Sequence, residues 1–240
     1  MTSILTVGGL KGAAVLEEGR GLRESKVDLA YATLKQAIVS GALAPQTLID
    51  KNEWSAHFGV SRLSITSALN RLAFERLVVI EPQRGSYVSR IRLTDAEQWM
   101  MMRRVLEMEV VAKCATDMPE PAIQQLGQNL AYQRAALDSG DVQGFHELDT
   151  RFHRQMADGL ELARVNEVLD PVRTHLERVR RTLLPEPGRM EGTFAEHEEI
   201  LNAIALRRPK RARDAMGIHL DHVLRQLRTF VEQHPGFFED

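Results

Sequence analysis

From Leu93 to the C-terminus the chain carries one periodicity, apolar residues recurring every three to four positions, and no run alternates as a half-buried strand would. Pro119, Gly140, Pro185 with Pro187, and Pro209 cut this stretch into about six helical segments, over 95–117, 119–138, 142–159, 162–184, 193–207 and 209–233. Connections this short force successive helices to pack antiparallel, so residues 93–234 are expected to form a compact all-α bundle.

The first third reads differently. Residues 1–22 hold Gly8, Gly9, Gly12, Gly19 and Gly21 with little periodicity and read as a mobile tail. Leu29, Ala30, Leu34, Ala37, Ile38 and Val39 then give the apolar stripe of a first helix, which Gly41 is placed to end. Asp50 is a candidate N-cap for a second helix running to about Phe58. After the turn Gly59-Val60-Ser61, Ser61 caps a third, with Ile65, Ala68, Leu69 and Leu72 facing inward and Arg62, Leu63, Thr66 and Asn70 facing outward. Two short helices joined through a tight glycine turn form a helix-turn-helix. The β-rich runs Leu77-Val78-Val79-Ile80 and Ser86-Tyr87-Val88-Ser89 flank Glu81-Pro82-Gln83-Arg84-Gly85, a hairpin with a basic tip that suits the wing of a winged helix spanning residues 23–92.

Charge agrees with this division. Residues 1–92 carry 12 Lys+Arg against 8 Asp+Glu, and the rest of the chain 19 against 25. A mildly basic N-terminal unit joined to an acidic one fits a protein with one DNA-facing end. The single cysteine, Cys114, lies in an apolar helical stretch and reads as a buried small hydrophobe. With no second cysteine there is no disulfide within the chain, which fits a reducing, cytoplasmic compartment. No run approaches the roughly 18 apolar residues of a membrane span. Met1 to Leu10 lack the basic start of an export signal.

The bundle carries a chemical signal of its own. Asp149 and His153 are four residues apart and share one helix face, and His197 and His219 lie on later helices. One carboxylate with three imidazoles suits zinc, nickel or manganese. His222, one turn from His219, is the rival for the last place, whereas His146 and His175 fit no such register. Each imidazole bound to a metal donates its other ring nitrogen to an acceptor, for which Glu196 and Asp221 are candidates.

Gly59-Val60-Ser61-Arg62 leading into Ala68-Leu69-Asn70-Arg71-Leu72, then Leu77-Val78 and Arg84-Gly85-Ser86-Tyr87-Val88, resemble the DNA-binding domain of GntR-family transcription regulators. Asp149-Thr150-Arg151-Phe152-His153, Glu196-His197-Glu198-Glu199-Ile200 with Ala203-Ile204, and Met216 with His219-Leu220 resemble the FCD effector domain of the FadR-like branch. Six C-terminal helices are closer to its VanR-type subgroup. The resemblance covers residues 24 to about 232 and implies a homodimer that binds a pseudo-palindromic operator and senses a small carboxylate, an organic or sugar acid. It carries Asp149, His153, His197 and His219 over as ligands of a divalent metal ion, with zinc preferred. It also places Arg103, in Arg103-Arg104-Val105-Leu106-Glu107, opposite the effector carboxylate. Ser61, Arg62, Ser64, Thr66, Arg71, Arg84 and Gly85 form the expected DNA-binding set.

The chain departs from the family where DNA is read. Family members usually have Pro at the position of Ser64, Arg at that of Thr66 and commonly Arg at that of Asn52. A lost bidentate Arg–guanine contact costs about 1 to 3 kcal/mol of base discrimination, so the operator is expected to differ from the common family site.

Each assignment has a plainer competitor. Arg103 could simply pair with Glu107 four residues on. Arg104, Arg151 and Arg154 are weaker effector candidates, and Met100-Met101-Met102 reads as core. A metal-dependent hydrolase using the Asp/His set is the alternative function, but HExxH, a nucleophile motif and a phosphate loop are all missing. An architectural DNA-bending protein would not need the polar cluster. The expectation is a ligand-responsive transcription regulator, a repressor, and not an enzyme.

Overall fold

The computed structural model describes residues 26–182, 189–233 and 238–239, so the tail expected over residues 1–22 and the breakers Pro185 and Pro187 lie outside it. The described chain begins with α1 (Lys26–Val39), α2 (Lys51–Phe58) and α3 (Arg62–Phe74). Ala30, Leu34, Ala37 and Ile38 form the buried face of α1, but Leu29, expected in that stripe, is 50% exposed. Gly41 ends the segment at φ +80, and Gly59 closes α2 at φ 60, left-handed conformations that glycine adopts without strain. Asp50 caps α2 by accepting from the amides of Asn52 and Glu53, and Ser61 caps α3 by accepting from Ser64 N.

β1 (Val78–Glu81) and β2 (Gly85–Val88) pair antiparallel, Val78 opposite Val88 and Glu81 opposite Gly85, as the wing. Leu48 adds an isolated antiparallel bridge to Tyr87. Gly85 sits at φ +134 with Leu48 Cδ1 only 2.8 Å from where a Cβ would stand, so a side chain there meets both backbone strain and a clash. Leu34, Ile38, Ile65, Leu69, Leu72 and Val88 close the core of this winged helix.

β3 (Ile91–Arg92) leads directly into α4 (Leu93–Asp117), followed by α5 (Glu120–Ser139), α6 (Val142–Asp158), α7 (Ala163–Thr182), α8 (Arg189–Ala205) and α9 (Pro209–Gln233). The six-helix bundle is as expected, with its largest boundary difference at α8, which begins four residues before 193. One expectation fails. A short strand, β4 (Phe238–Glu239), lies beyond Leu93 and pairs in parallel with β3, Ile91 opposite Phe238. Two-residue strands carry no period for a sequence pattern to reveal.

Within the bundle α4 packs on α6, α7, α8 and α9, and α5 on α6 and α8. Phe145, Asp149, Phe152, His153, Met156 and Ala157 are the buried face of α6, a stripe at three- to four-residue spacing that mixes core apolar residues with two candidate ligands. Cys114 is fully buried, its thiol pushed up to about 12 by burial, which fits the inert core role expected of it. The methionine run is only partly core. Met100 is 2% exposed but Met101 is 67% and Met102 42%, because consecutive helical residues point in different directions. Among the described residues no helix is long and apolar enough to cross a membrane.

Candidate metal centre and DNA-facing surface

Asp149 and His153 reach inward from α6, His197 from α8 and His219 from α9, and all four are buried. One donor atom from each falls within 4.8 Å of every other. His153 Nε2 and His219 Nε2 are 3.2 Å apart, and His197 Nε2 is 3.5 Å from Asp149 Oδ1. A tetrahedral ion with metal–nitrogen bonds of about 2.0–2.1 Å holds its ligand nitrogens about 3.3 Å apart, close to the His153–His219 separation. His219, and not its rival His222, lies in this group of donor atoms.

The atoms behind the ring nitrogens fix which of them faces the centre. Gln133 Nε2 donates to Asn129 Oδ1 at 2.7 Å, which leaves Gln133 Oε1 as acceptor for His197 Nδ1 at 2.9 Å. His219 Nδ1 donates to Glu196 Oε2 at 2.7 Å. His153 Nδ1 lies 2.9 Å from Glu107 Oε2, a close polar contact without hydrogen-bond alignment. His197 and His219 thereby turn an Nε2 lone pair inward, the tautomer a metal requires, and the Glu107 carboxylate beside His153 Nδ1 favours the same tautomer there. His197 Nε2 is fully buried with no hydrogen-bond partner, an arrangement that costs free energy unless something else binds there. The four residues fit a divalent ion.

Electrostatics point the same way. Burial pushes His153 down to about 4 despite the Glu107 carboxylate beside it. Burial and then His219 hold His197 well below its ordinary value. Both rings are therefore neutral at neutral pH, the form in which an imidazole binds a metal. Burial alone would raise the Glu107 carboxyl, but Arg103, His153 and Arg173 outweigh it and hold it well below the usual carboxylate range.

Of the two orienting acceptors expected, Glu196 serves and Asp221 does not, since Asp221 is paired with Arg104. Glu196 also accepts from His222 Nδ1 through its other oxygen, so His222 supports the centre from outside. Glu107, Asn129 and Gln133 were not anticipated as supports. A signal existed for them, since all three are polar residues on mainly apolar core-facing stripes of α4 and α5.

A cavity of about 50 Å³ opens beside the cluster, lined among others by Arg103, Asp149, His153, Arg173, Thr193 and His219. Arg103 is 8% exposed and spends its Nε on Glu107 Oε1 at 3.1 Å, so the plain ion pair is present. Its two terminal nitrogens make no hydrogen bond to any described residue. Arg154 is taken up by Asp158 and Asp170, Arg151 is exposed, and neither lines the cavity.

On the winged helix, Arg62, Leu63 and Asn70 project from α3 into solvent. Ser64 Oγ is 2.9 Å from Ser61 Oγ, and Thr66 Oγ1 donates to Arg62 O at 2.9 Å, so both hydroxyls are engaged at the start of the helix. Arg71 is drawn to α1, 2.7 Å from Asp28 and with its guanidinium 3.8 Å from the Tyr31 ring centroid. Arg84, at the wing tip before Gly85, is exposed and 3.1 Å from Glu81.

The FCD domain model matches residues 98–222, and the model of bacterial regulatory proteins of the gntR family matches residues 26–88. The chain is 28% identical over 210 residues to the HTH-type transcriptional repressor RspR of Escherichia coli (strain K12), covering 88% of this chain and 92% of that one. It is 27% identical over 226 residues to the HTH-type transcriptional regulator LutR of Bacillus subtilis (strain 168), covering 82% and 99%. Its fold is similar to a crystal structure of a putative transcriptional regulator GntR from Rhodococcus sp. RHA1, with a TM-score of 0.73 at 22% identity over 86% of this chain and 99% of that one. The relatives are regulators, and none of these likenesses supports the hydrolase alternative. With a gntR-family winged helix followed by an FCD domain over more than half its length, the chain belongs to the GntR family of transcription regulators.

Proposed function

We propose that this regulator is a repressor that senses a small carboxylate held between a divalent metal ion, zinc by preference, and Arg103. The observation that carries this reading is the meeting of four buried donor atoms within 4.8 Å with a cavity that Arg103 also lines. A bound metal would supply a fixed positive charge that attracts a carboxylate. Asp149, His153, His197 and His219 would hold it, and Gln133, Glu107 and Glu196 would keep their rings oriented. The terminal nitrogens of Arg103 offer the planar paired donors that suit a carboxylate. Nickel and manganese are compatible with the same nitrogen and oxygen donors.

The chain acts as a homodimer on a two-fold-related operator, with Arg62 and its neighbours on α3 meeting the major groove and Arg84 meeting the backbone from the wing. Six bundle helices support its placement in the VanR-type subgroup. The test is a thermal-shift screen of zinc-loaded protein against small organic acids, because a ligand that binds only the folded state raises its melting temperature. An acid that stabilises the zinc-loaded but not the metal-free chain supports the reading. Stabilisation independent of zinc refutes it.

A further inference from the structure

The recognition helix and the base of the wing are tied to the bundle through α7. At the end of α3, the His175 ring lies beside the backbone of Glu75 and stacks on Trp99, with centroids 4.0 Å apart and planes 14° apart. One turn along, Arg178 Nη1 donates to Ser89 Oγ at 3.0 Å and its Nη2 to Ser89 O. Ser89 Oγ in turn donates to Arg76 O at 2.7 Å, and Ser89 N to Leu77 O at 3.1 Å. The exit of β2 and the exit of α3 thus meet in one hydrogen-bonded knot, and an arginine from the bundle supplies its cation. Arg178 is 3% exposed.

The same helix reaches the candidate metal centre. Arg173 Nε and Nη2 each lie 3.3 Å from Glu107 Oε1, and Nη2 also donates to the backbone carbonyl of His153 at 3.3 Å. Arg173 and Arg178 are five residues apart, about 7.5 Å along a helix axis at 1.5 Å per residue. Pro171 removes one ladder hydrogen bond just before them, so the following turns are freer to shift together.

We propose that Arg178 is a positioning residue through which α7 sets the wing and recognition helix according to the state of the Glu107–His153 pair. This rests on the reading of the centre as a metal site. When Glu107 and His153 are fixed by a bound ion, Arg173 is fixed with them, and the turn carrying His175 and Arg178 holds Ser89 and Glu75 in one place. Without the ion, the same turn has more freedom and the wing base loosens.

The test is hydrogen exchange on the full chain, with and without one equivalent of zinc, in the parent, Arg178→Gln and Arg178→Lys. Zinc should slow exchange over residues 75–90 of the parent by about tenfold or more, as expected when a local opening is suppressed. Arg178→Gln should take up the same zinc without this slowing, and Arg178→Lys should recover part of it, since an ammonium still reaches Ser89 O. Equal slowing in parent and Arg178→Gln, or none in zinc-loaded parent, overturns the proposal. A parent that takes up no zinc refutes the metal reading instead. The latch is then judged on the metal-free chain, where Arg178→Gln must speed exchange over residues 75–90 about tenfold and leave residues 142–158 unchanged. Equality with the parent there overturns it.

Discussion

His197 Nδ1 meets Gln133 Oε1 at 2.9 Å, and because the Gln133 amide nitrogen is already spent on Asn129, the ring can only be the donor. One core amide on α5 therefore decides that His197 presents a bare Nε2 to Asp149. Gln133→Leu should weaken zinc binding about 10- to 100-fold, the usual effect of losing a partner behind a metal ligand. Competition against a chelator of known affinity measures this, and unchanged affinity would mean that the amide does not orient the ring.

The candidate ligands themselves should behave as a set. His153→Ala and His197→Ala should each lose stoichiometric zinc together with the zinc-dependent rise in melting temperature, which for the parent corresponds to about 2.7 kcal/mol when free zinc is 100 times its dissociation constant. His222→Ala should keep the metal, because its ring is paired with Glu196 and stands outside the cluster of four donors. Metal analysis of the purified variants decides this, and full occupancy in the His153→Ala/His197→Ala double variant would rule the site out.

In the metal-free chain, buried neutral histidines make stability depend on pH. His153 and His175 are both pushed down to about 4 by burial, from the ordinary histidine value of 6.5. Between those values the unfolded chain binds protons that the folded chain does not, so stability present above 6.5 is lost as pH falls toward 4. Each group contributes a slope of up to about 1.4 kcal/mol per pH unit. Urea unfolding at pH 7, 6 and 5 should show falling stability with unchanged m, and a flat profile would mean that these rings are not held neutral.

Much of this was legible in the sequence. Asp50 and Gly59, Ser61, Gly41 and Gly140 carry local rules that hold in the fold, because caps and left-handed turns depend on a few neighbouring atoms. Asp149 and His153 were legible for the same reason, being one helical turn apart. What the sequence hid depends on distant packing. Whether Glu196 or Asp221 supports His219 turns on Arg104 capturing Asp221 across the α4–α9 contact. That α1 brings Asp28 and Tyr31 against Arg71, a residue expected at the DNA, is likewise set by distant packing. The β3–β4 pairing joins segments far apart in the chain that are too short to show alternation.

On the DNA side, the arginines should separate. Arg62→Ala should weaken binding to a selected operator strongly, because Arg62 is exposed at the start of α3 where base edges are read. Arg84→Ala should reduce affinity for all sequences alike and lower the salt slope by about one, as for a phosphate contact. Arg71→Ala should affect operator binding least of the three and cost under about 1 kcal/mol of stability, since its ion pair with Asp28 is exposed. Fluorescence anisotropy over a range of salt concentrations resolves the three cases, and an Arg62→Ala protein that binds its operator like the parent would contradict this docking.

On the proposed function, a small acid bound at the metal centre and anchored by Arg103 changes the affinity for DNA. Operator titration of zinc-loaded parent and Arg103→Ala protein, in the presence of each acid that stabilises the parent, measures this coupling. At least one acid should shift the parent's operator affinity about tenfold, which corresponds to about 1.4 kcal/mol of coupling. Arg103→Ala should bind the operator as the parent does and show little or no shift. An equal shift in both proteins would rule Arg103 out as the anchor, and no shift with any stabilising acid would rule out the coupling to DNA.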